Sequence, residues 1–466
     1  MPDAHLLPPA TTSKATAVAT AIMHRLSDET LVTEVAKDAS RTMGLPVWEP
    51  GASLYAGAAG SALAFAYAAR ACPDSSEHWW AQAHRWLKLA AAGTRDKPLV
   101  VPGLSDGTAG MALAVAGCDP DGRYARTLSG LHTRLSEQVG RPDLADDHDF
   151  FYPDYDVMTG PAGILGQLAP HLADPTALRV ASGIVERLIA RCDTAGPREH
   201  ESGSLRTAPW KPWFIARKHY DRWKEEVRLN PYGFVNLGLA HGIPGPLAAL
   251  SRAWLAGHRA PGLREAIRAL GDQLVAASRH EDWGRTWPRV LPFDEAGEVA
   301  PDRGRPTRPS YCYGAPGIAS ALLDAADALG DDTMRTVAVE GFEAALRQME
   351  DLPAAALNYP GLCHGDAGMV LICRKFATQT GSAAARSALE RLVDRLLGHC
   401  DPDRPLLVRD YRPVQAAEPG SPSALDPDGT WVDNPGLLEG AAGVALTLLS
   451  VATPVPPFWA RAVLVN

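Results

Sequence analysis

Cysteine is scarce in this chain: seven residues in 466, an odd number. That excludes the disulfide framework of a small secreted scaffold. Basic residues are also in deficit, 45 Lys and Arg against 54 Asp and Glu, giving a formal charge of -9. A polyanion needs a clear cationic face, so nucleic acid is not the expected partner. Long apolar runs are missing as well. The best candidate, GAAGVALTLLSVA from Gly440, falls short of the roughly 20 residues that span a bilayer, so no integral membrane protein is expected. The first residues, MPDAHLLPPATTSKATAVATAIMHRL, carry prolines and scattered polar groups where a signal peptide has a basic start and an apolar core. With 46% hydrophobic and 21% charged residues, the composition is that of a soluble globular protein. A reducing cytoplasm is the expected compartment. The length suits two or three ordinary domains or one large closed architecture.

What the chain does have is a repeat. YAGAAGSALAF from Tyr55, SDGTAGMALAV from Ser105, MTGPAGILGQL from Met158 and AHGIPGPLAAL from Ala240 share one pattern. CYGAPGIASALL from Cys312, CHGDAGMVLI from Cys363 and LEGAAGVALTLL from Leu438 complete a set of seven. Each is Gly-x-x-Gly before a run of Ala, Leu, Ile and Val, which predicts a buried helix. Glycines at the start permit unusual backbone angles and close approach of neighbouring chains. Proline between the two glycines of three copies suits the first helical turn. Amphipathic segments between the motifs, such as EHWWAQAHRWLKLAAAG and REAIRALGDQLVAASRH, predict outer helices with one wet face.

The unit is therefore one outer and one inner helix, repeated about every fifty residues at its shortest spacing, which fits the usual solenoid periods poorly. An open stack needs polar caps, yet the first and last motifs look like the middle ones. A ring closed on itself is expected, as a single domain over residues 1–466. Two long gaps, 193–235 (rich in Trp, Lys and Arg) and 401–436 (rich in Pro and Asp), precede motifs and are expected near one end of the ring. Each reads either as a surface insertion with its own small apolar cluster or as a wall for a bound peptide.

If all seven inner helices begin alike, their turns gather at one mouth, and what varies there is the chemistry. The residue before the first Gly is Ala, Asp, Thr or Glu in four copies. In the others it is His241, Tyr313 or His364, with Cys312 and Cys363 just upstream of the last two. Cys312, Cys363 and His364 make a Zn²⁺ set of two thiolates and one imidazole with the fourth tetrahedral position open, as in catalytic zinc sites. Cys72, Cys118, Cys192, Cys373 and Cys400 read as small buried hydrophobes. His241 is a fourth ligand, a general acid/base or a hydrogen-bonded residue at a helix start. Asp156 either orients that histidine or caps its helix. Arg308, four residues before Cys312, either stabilises a developing enolate or pairs with a surface carboxylate.

Taken together, NLGLAHGIPG, RPSYCYGAPG, LCHGDAG and the seven turns resemble the lanthionine synthetase C-like (LanC) cyclases over nearly the whole chain. The resemblance implies an all-α fold, an α/α toroid of seven inner and seven outer helices, around a central zinc. It assigns Cys312, Cys363 and His364 to the metal, His241 to acid/base work, and Asp156, Tyr313 and Arg308 to supporting roles. Tyr311 stands where the family commonly has tryptophan. The implied reaction is intramolecular Michael addition of a peptide cysteine to dehydroalanine or dehydrobutyrine, forming (methyl)lanthionine rings. Implied partners are a dehydrated precursor peptide with its leader, a separate dehydratase and an exporter. Two alternatives share the thiol chemistry. One is a LanC-like protein that adds glutathione to dehydroamino acids. The other is a zinc-dependent protein prenyltransferase, whose Asp, Cys and His metal set differs from the one here.

Overall fold

Every Gly-x-x-Gly turn opens a helix. The computed structural model describes residues 6–139, 150–193, 207–305, 307–352, 359–412 and 429–466. Helices α1 (Pro9–Leu26) and α2 (Glu29–Met43) precede the first motif. The motifs and the segments after them give α3 (Ala58–Ala71) then α4 (Ser76–Gly93), α5 (Thr108–Gly117) then α6 (Ala125–Val139), and α7 (Pro161–Leu168) then α8 (Pro175–Asp193). After the short α9 (Lys224–Leu229) come α10 (Pro244–Leu255) with α11 (Leu263–Ala276) and α12 (Ala315–Leu329) with α13 (Asp332–Asp351). The series ends with α14 (Asp366–Gln379), α15 (Ala383–Gly398) and α16 (Ala441–Ala452). No helix among the described residues is long and apolar enough to cross a membrane.

The two helix types differ as their sequences require. Every residue of α3 except Arg70 is buried, and α12 is buried throughout except Asp327. A helix that is apolar on all sides must be covered on all sides. In α11, by contrast, Leu263, Ala266, Ile267, Leu270 and Leu274 form one buried stripe and the opposite face is wet.

Contacts divide the chain into two compact units. In one, the apolar helices α14, α16, α3 and α5 lie side by side in that order, with α15 against α14, α1 against α16 and α4 against α3. In the other, α7, α10 and α12 lie side by side, with α8 against α7, α11 against α10 and α13 against α12. Three antiparallel ribbons supplement the helices. They pair β1 (Phe234–Asn236) with β4 (Val290–Pro292), β2 (Arg279–Glu281) with β3 (Gly284–Thr286), and β5 (Asp410–Arg412) with β6 (Thr430–Val432). Of the two long gaps, residues 194–206 and 413–428 lie outside the described residues.

The motif glycines work by absent volume more than by unusual angles. Of the seven first glycines, only Gly314, at φ 98°, lies in the left-handed region. Gly57, Gly107, Gly160, Gly365 and Gly440 cap their helices with extended backbone. The second glycine is where a Cβ cannot fit: at Gly60, Gly110 and Gly443 it would overlap the carbonyl oxygen of Leu54, Leu104 and Leu437 respectively. Proline sits in the first turn of α7, α10 and α12, where a backbone donor is spare.

Gly443→Ala should therefore destabilise the protein by about 2 kcal/mol, because forced overlap with fixed backbone outweighs the gain in helix propensity. Gly130→Ala, on an exposed helical surface with nothing near the new methyl, should stabilise it by about 0.5–1 kcal/mol. Denaturant midpoints of the two variants check the contrast.

Candidate active site

The turn before α10 carries His241, and its geometry is fixed from three sides. His241 Nδ1 donates to Asp156 Oδ2 at 2.7 Å. Asp156 is fully buried, and its other oxygen accepts from Thr159 N at 2.8 Å, Thr159 Oγ1 at 3.0 Å and Gly160 N at 2.8 Å. The backbone of the histidine is held too: Tyr155 Oη donates to His241 O at 2.7 Å, and Val157 N to Ala240 O at 3.1 Å. A carboxylate on Nδ1 sets the tautomer and leaves Nε2 as the working nitrogen. The imidazole keeps 31% of its side-chain exposure while Asp156 keeps none. The reactive edge is open and its support is not.

Around this pair sit residues that the sequence did not single out. Tyr152 lies with its ring 4.9 Å from that of His241, and its hydroxyl accepts from Asn236 Nδ2 at 3.1 Å. Asn236, at the end of β1, also accepts from Gly238 N at 2.8 Å, closing the NLG turn. Its register partner on β4 is Val290, next to Arg289. Arg289 makes a two-pronged contact with Glu226 of α9, at 2.8 and 2.7 Å, and lies 5.7 Å from the Tyr313 ring centre. Burial pushes the Tyr152 hydroxyl up to about 12 and the Tyr313 hydroxyl well above its ordinary value. Both are therefore neutral proton donors at physiological pH.

Cys312 and Tyr313 sit on a tight turn. Ser310 Oγ donates to Tyr313 O at 2.7 Å and lies 3.8 Å from Cys312 Sγ. Gly238 lets this turn approach the NLG turn, since a Cβ there would meet Cys312 O and the Tyr313 ring. Arg308 is half-buried on the same segment, and a Cβ at Gly314 would come within 2.9 Å of its carbonyl oxygen.

Cys363 and His364 lie on the turn before α14. Leu362 N and Cys363 N both donate to Leu438 O, at 2.9 and 3.1 Å, which ties this turn to the LEG turn before α16. Asp366 opens α14 and is gripped by Arg395 Nε at 2.8 Å and His399 Nε2 at 3.0 Å, both from the segment of α15 and its C-terminus. His364 Nε2 lies 3.6 Å from Glu439 Oε1. Arg412, on β5, is close enough to Glu439 and Cys363 to interact electrostatically, and its Nε donates to Asp410 Oδ2 at 2.6 Å.

The ligand atoms offered by Cys312, Cys363 and His364 all lie within 4.8 Å of one another, the one such group of three or more among the described residues. Two sulfurs and an imidazole nitrogen at that separation are a donor set suited to zinc, which takes Cys and His ligands at ~2.0–2.3 Å. Among the described residues no two cysteines are joined in a disulfide. Burial pushes the thiols of Cys118, Cys373 and Cys400 up to about 12, which makes them inert.

The family model described as lanthionine synthetase C-like protein matches residues 49–464. The chain is 22% identical over 307 residues to the nisin biosynthesis protein NisC of Lactococcus lactis subsp. lactis, covering 65% of this chain and 69% of that protein. It also superposes on the solved structure of nisin cyclase with a TM-score of 0.70 at 20% identity, over 93% of this chain and 96% of that one. The fold is the expected all-α toroid. With the family model spanning most of its length, the chain belongs to the lanthionine synthetase C-like family.

Proposed function

We propose that the protein is a zinc-dependent lanthipeptide cyclase, which closes (methyl)lanthionine rings by adding peptide cysteine thiols to dehydroalanine or dehydrobutyrine. The observation that carries this reading is the Cys312, Cys363 and His364 cluster in a chain of this family. Those three residues would hold the zinc. When bound, it supplies a charge that keeps an incoming thiol deprotonated near neutral pH, where a free thiol of pKa ~8.5 is mostly protonated.

The remaining steps fall to side chains. The C–S bond forms at the β-carbon of the dehydroamino acid, and the alkene electrons move onto the α-carbon and its carbonyl as an enolate. Arg308 and Tyr313 are the donors for that oxygen; the buried, neutral Tyr313 hydroxyl supplies a proton without a charge of its own. His241, with Nδ1–H held by Asp156, takes up at Nε2 the proton that the thiol releases and hands it to the α-carbon. The thiol loses one proton and the carbon gains one, so the peptide isomerises without change of mass.

The described parts of the two long gaps supply Glu226 behind Arg289 and Arg412 beside Cys363. We read them as walls that a peptide substrate meets. A dehydrated substrate calls for a separate dehydratase upstream and an exporter downstream, with the reaction in the cytoplasm.

The test is incubation with a dehydrated precursor peptide, followed by thiol alkylation and mass spectrometry with and without glutathione. The cyclase reading expects unchanged mass and lost alkylation sites. A glutathione adduct, or a thiol that stays reactive, would replace it with the adduct-forming alternative or remove it.

A further inference from the structure

Glu439 stands out once the turns are compared in detail. NLGLAHG (236–242) and NPGLLEG (434–440) share Asn, Gly, Leu and Gly at the same positions, and the structure builds the same turn from both. Asn236 Oδ1 accepts from Gly238 N and Asn434 Oδ1 from Gly436 N, each at 2.8 Å. Where the first turn presents His241, the second presents Glu439. This carboxylate keeps 17% of its side-chain exposure and lies 3.6 Å from His364 Nε2, which keeps 24%.

Its surroundings hold it there. The two backbone bonds from Leu362 and Cys363 to Leu438 O fix the turns against each other, and a Cβ at Gly361 would press on the Glu439 backbone at 3.0 Å. Behind the carboxylate, Arg412 balances its charge. Arg412 is in turn fixed by Asp410, which accepts from Asn434 Nδ2 at 3.3 Å. The side chain that shapes the turn thus also anchors the countercharge.

We propose that Glu439 is a positioning residue for the metal centre: its carboxylate faces Nε2 of His364 and orients the ring so that Nδ1 is the nitrogen offered to the metal. A metal-binding histidine needs its second nitrogen occupied to fix the ring and the tautomer, and a carboxylate in that place also raises the basicity of the first. The proposal rests on the zinc reading above, and its test separates the two.

Zinc content and zinc affinity, the latter by competition with a chromophoric chelator, are measured on full-length wild type, Glu439→Ala and Glu439→Gln. Removing such a partner costs about 10–100-fold in metal affinity. Glu439→Ala should show that loss, and Glu439→Gln, which keeps an acceptor of the same size, should recover part of it. The denaturation midpoints of the zinc-free proteins guard against a general folding defect, and the near-isosteric glutamine variant stands in if alanine does not fold. Wild-type affinity in both variants would overturn the role of Glu439 and leave the cyclase reading intact. A wild-type protein with no affinity for zinc would remove both.

Discussion

Cys363→Ala is expected to abolish zinc retention and to slow ring closure by more than about 100-fold, beyond the loss typical of an outer-shell partner. Two ligands remain in that variant, too few for a tetrahedral centre that must leave one position open. The protein itself should survive the change. Cys363 is buried at 7% exposure and Cys312 at 1%, but a sulfur is a small group, and losing it from a partly formed cavity costs only about 1–2 kcal/mol. The same holds for Cys312→Ala. The expected signature is therefore a folded chain without metal and without cyclisation, checked by metal analysis, a denaturation midpoint and the thiol assay on one preparation. Cys118→Ala or Cys373→Ala, at thiols that burial keeps protonated, should leave metal content unchanged.

Asp156→Asn tests the other half of the chemistry. The structure says how the substitution would settle. Asp156 Oδ1 accepts three hydrogen bonds from Thr159 and Gly160, so the amide oxygen takes that side and the amide nitrogen turns to His241. An N–H then faces Nδ1 where a carboxylate oxygen faced it at 2.7 Å. Nδ1 must become the acceptor, and the proton moves to Nε2. The imidazole stays in place in the wrong tautomer. Positioned acid/base groups contribute about 10²–10⁴-fold, so cyclisation at saturating peptide should fall by that factor with zinc content unchanged. His241→Asn should match it. A near-wild-type rate in either variant would mean that the proton comes from elsewhere.

The two variants also mark how far the sequence could be read. The seven apolar runs predicted the inner helices because an Ala- and Leu-rich stretch without turn residues has few other options once it is buried. Their starts were legible to within two residues. The exception in detail is α10, which begins at Pro244 because the chain first winds through Gly242 N to Gly238 O and Ile243 N to Asn236 O. Of the two roles expected of the glycines, close approach is met at Gly60, Gly110 and Gly443, and an unusual backbone angle at Gly314 alone among the seven first glycines. Cys312, Cys363, His364 and His241 were visible because they break a repeated pattern at equivalent places.

Tyr152, Asn236 and the Glu226–Arg289 pair were not visible. Arg289 and Glu226 meet across 63 positions, and no periodicity records such a pairing. Glu439 stands in plain view, but Ala56, Asp106 and Thr159 fill the same place before the first glycine in other copies, so the position by itself carries no signal. The signal that would have raised it is the NxGLxxG match with the His241 turn, which ties the carboxylate to a position already linked to chemistry.

The most direct test is the metal content of wild-type protein purified without oxygen. Three side chains from separate turns, with their ligand atoms within 4.8 Å of one another, predict one equivalent of zinc per chain, lost in Cys312→Ala. Protein that is folded, reduced and metal-free even after exposure to zinc would contradict the account.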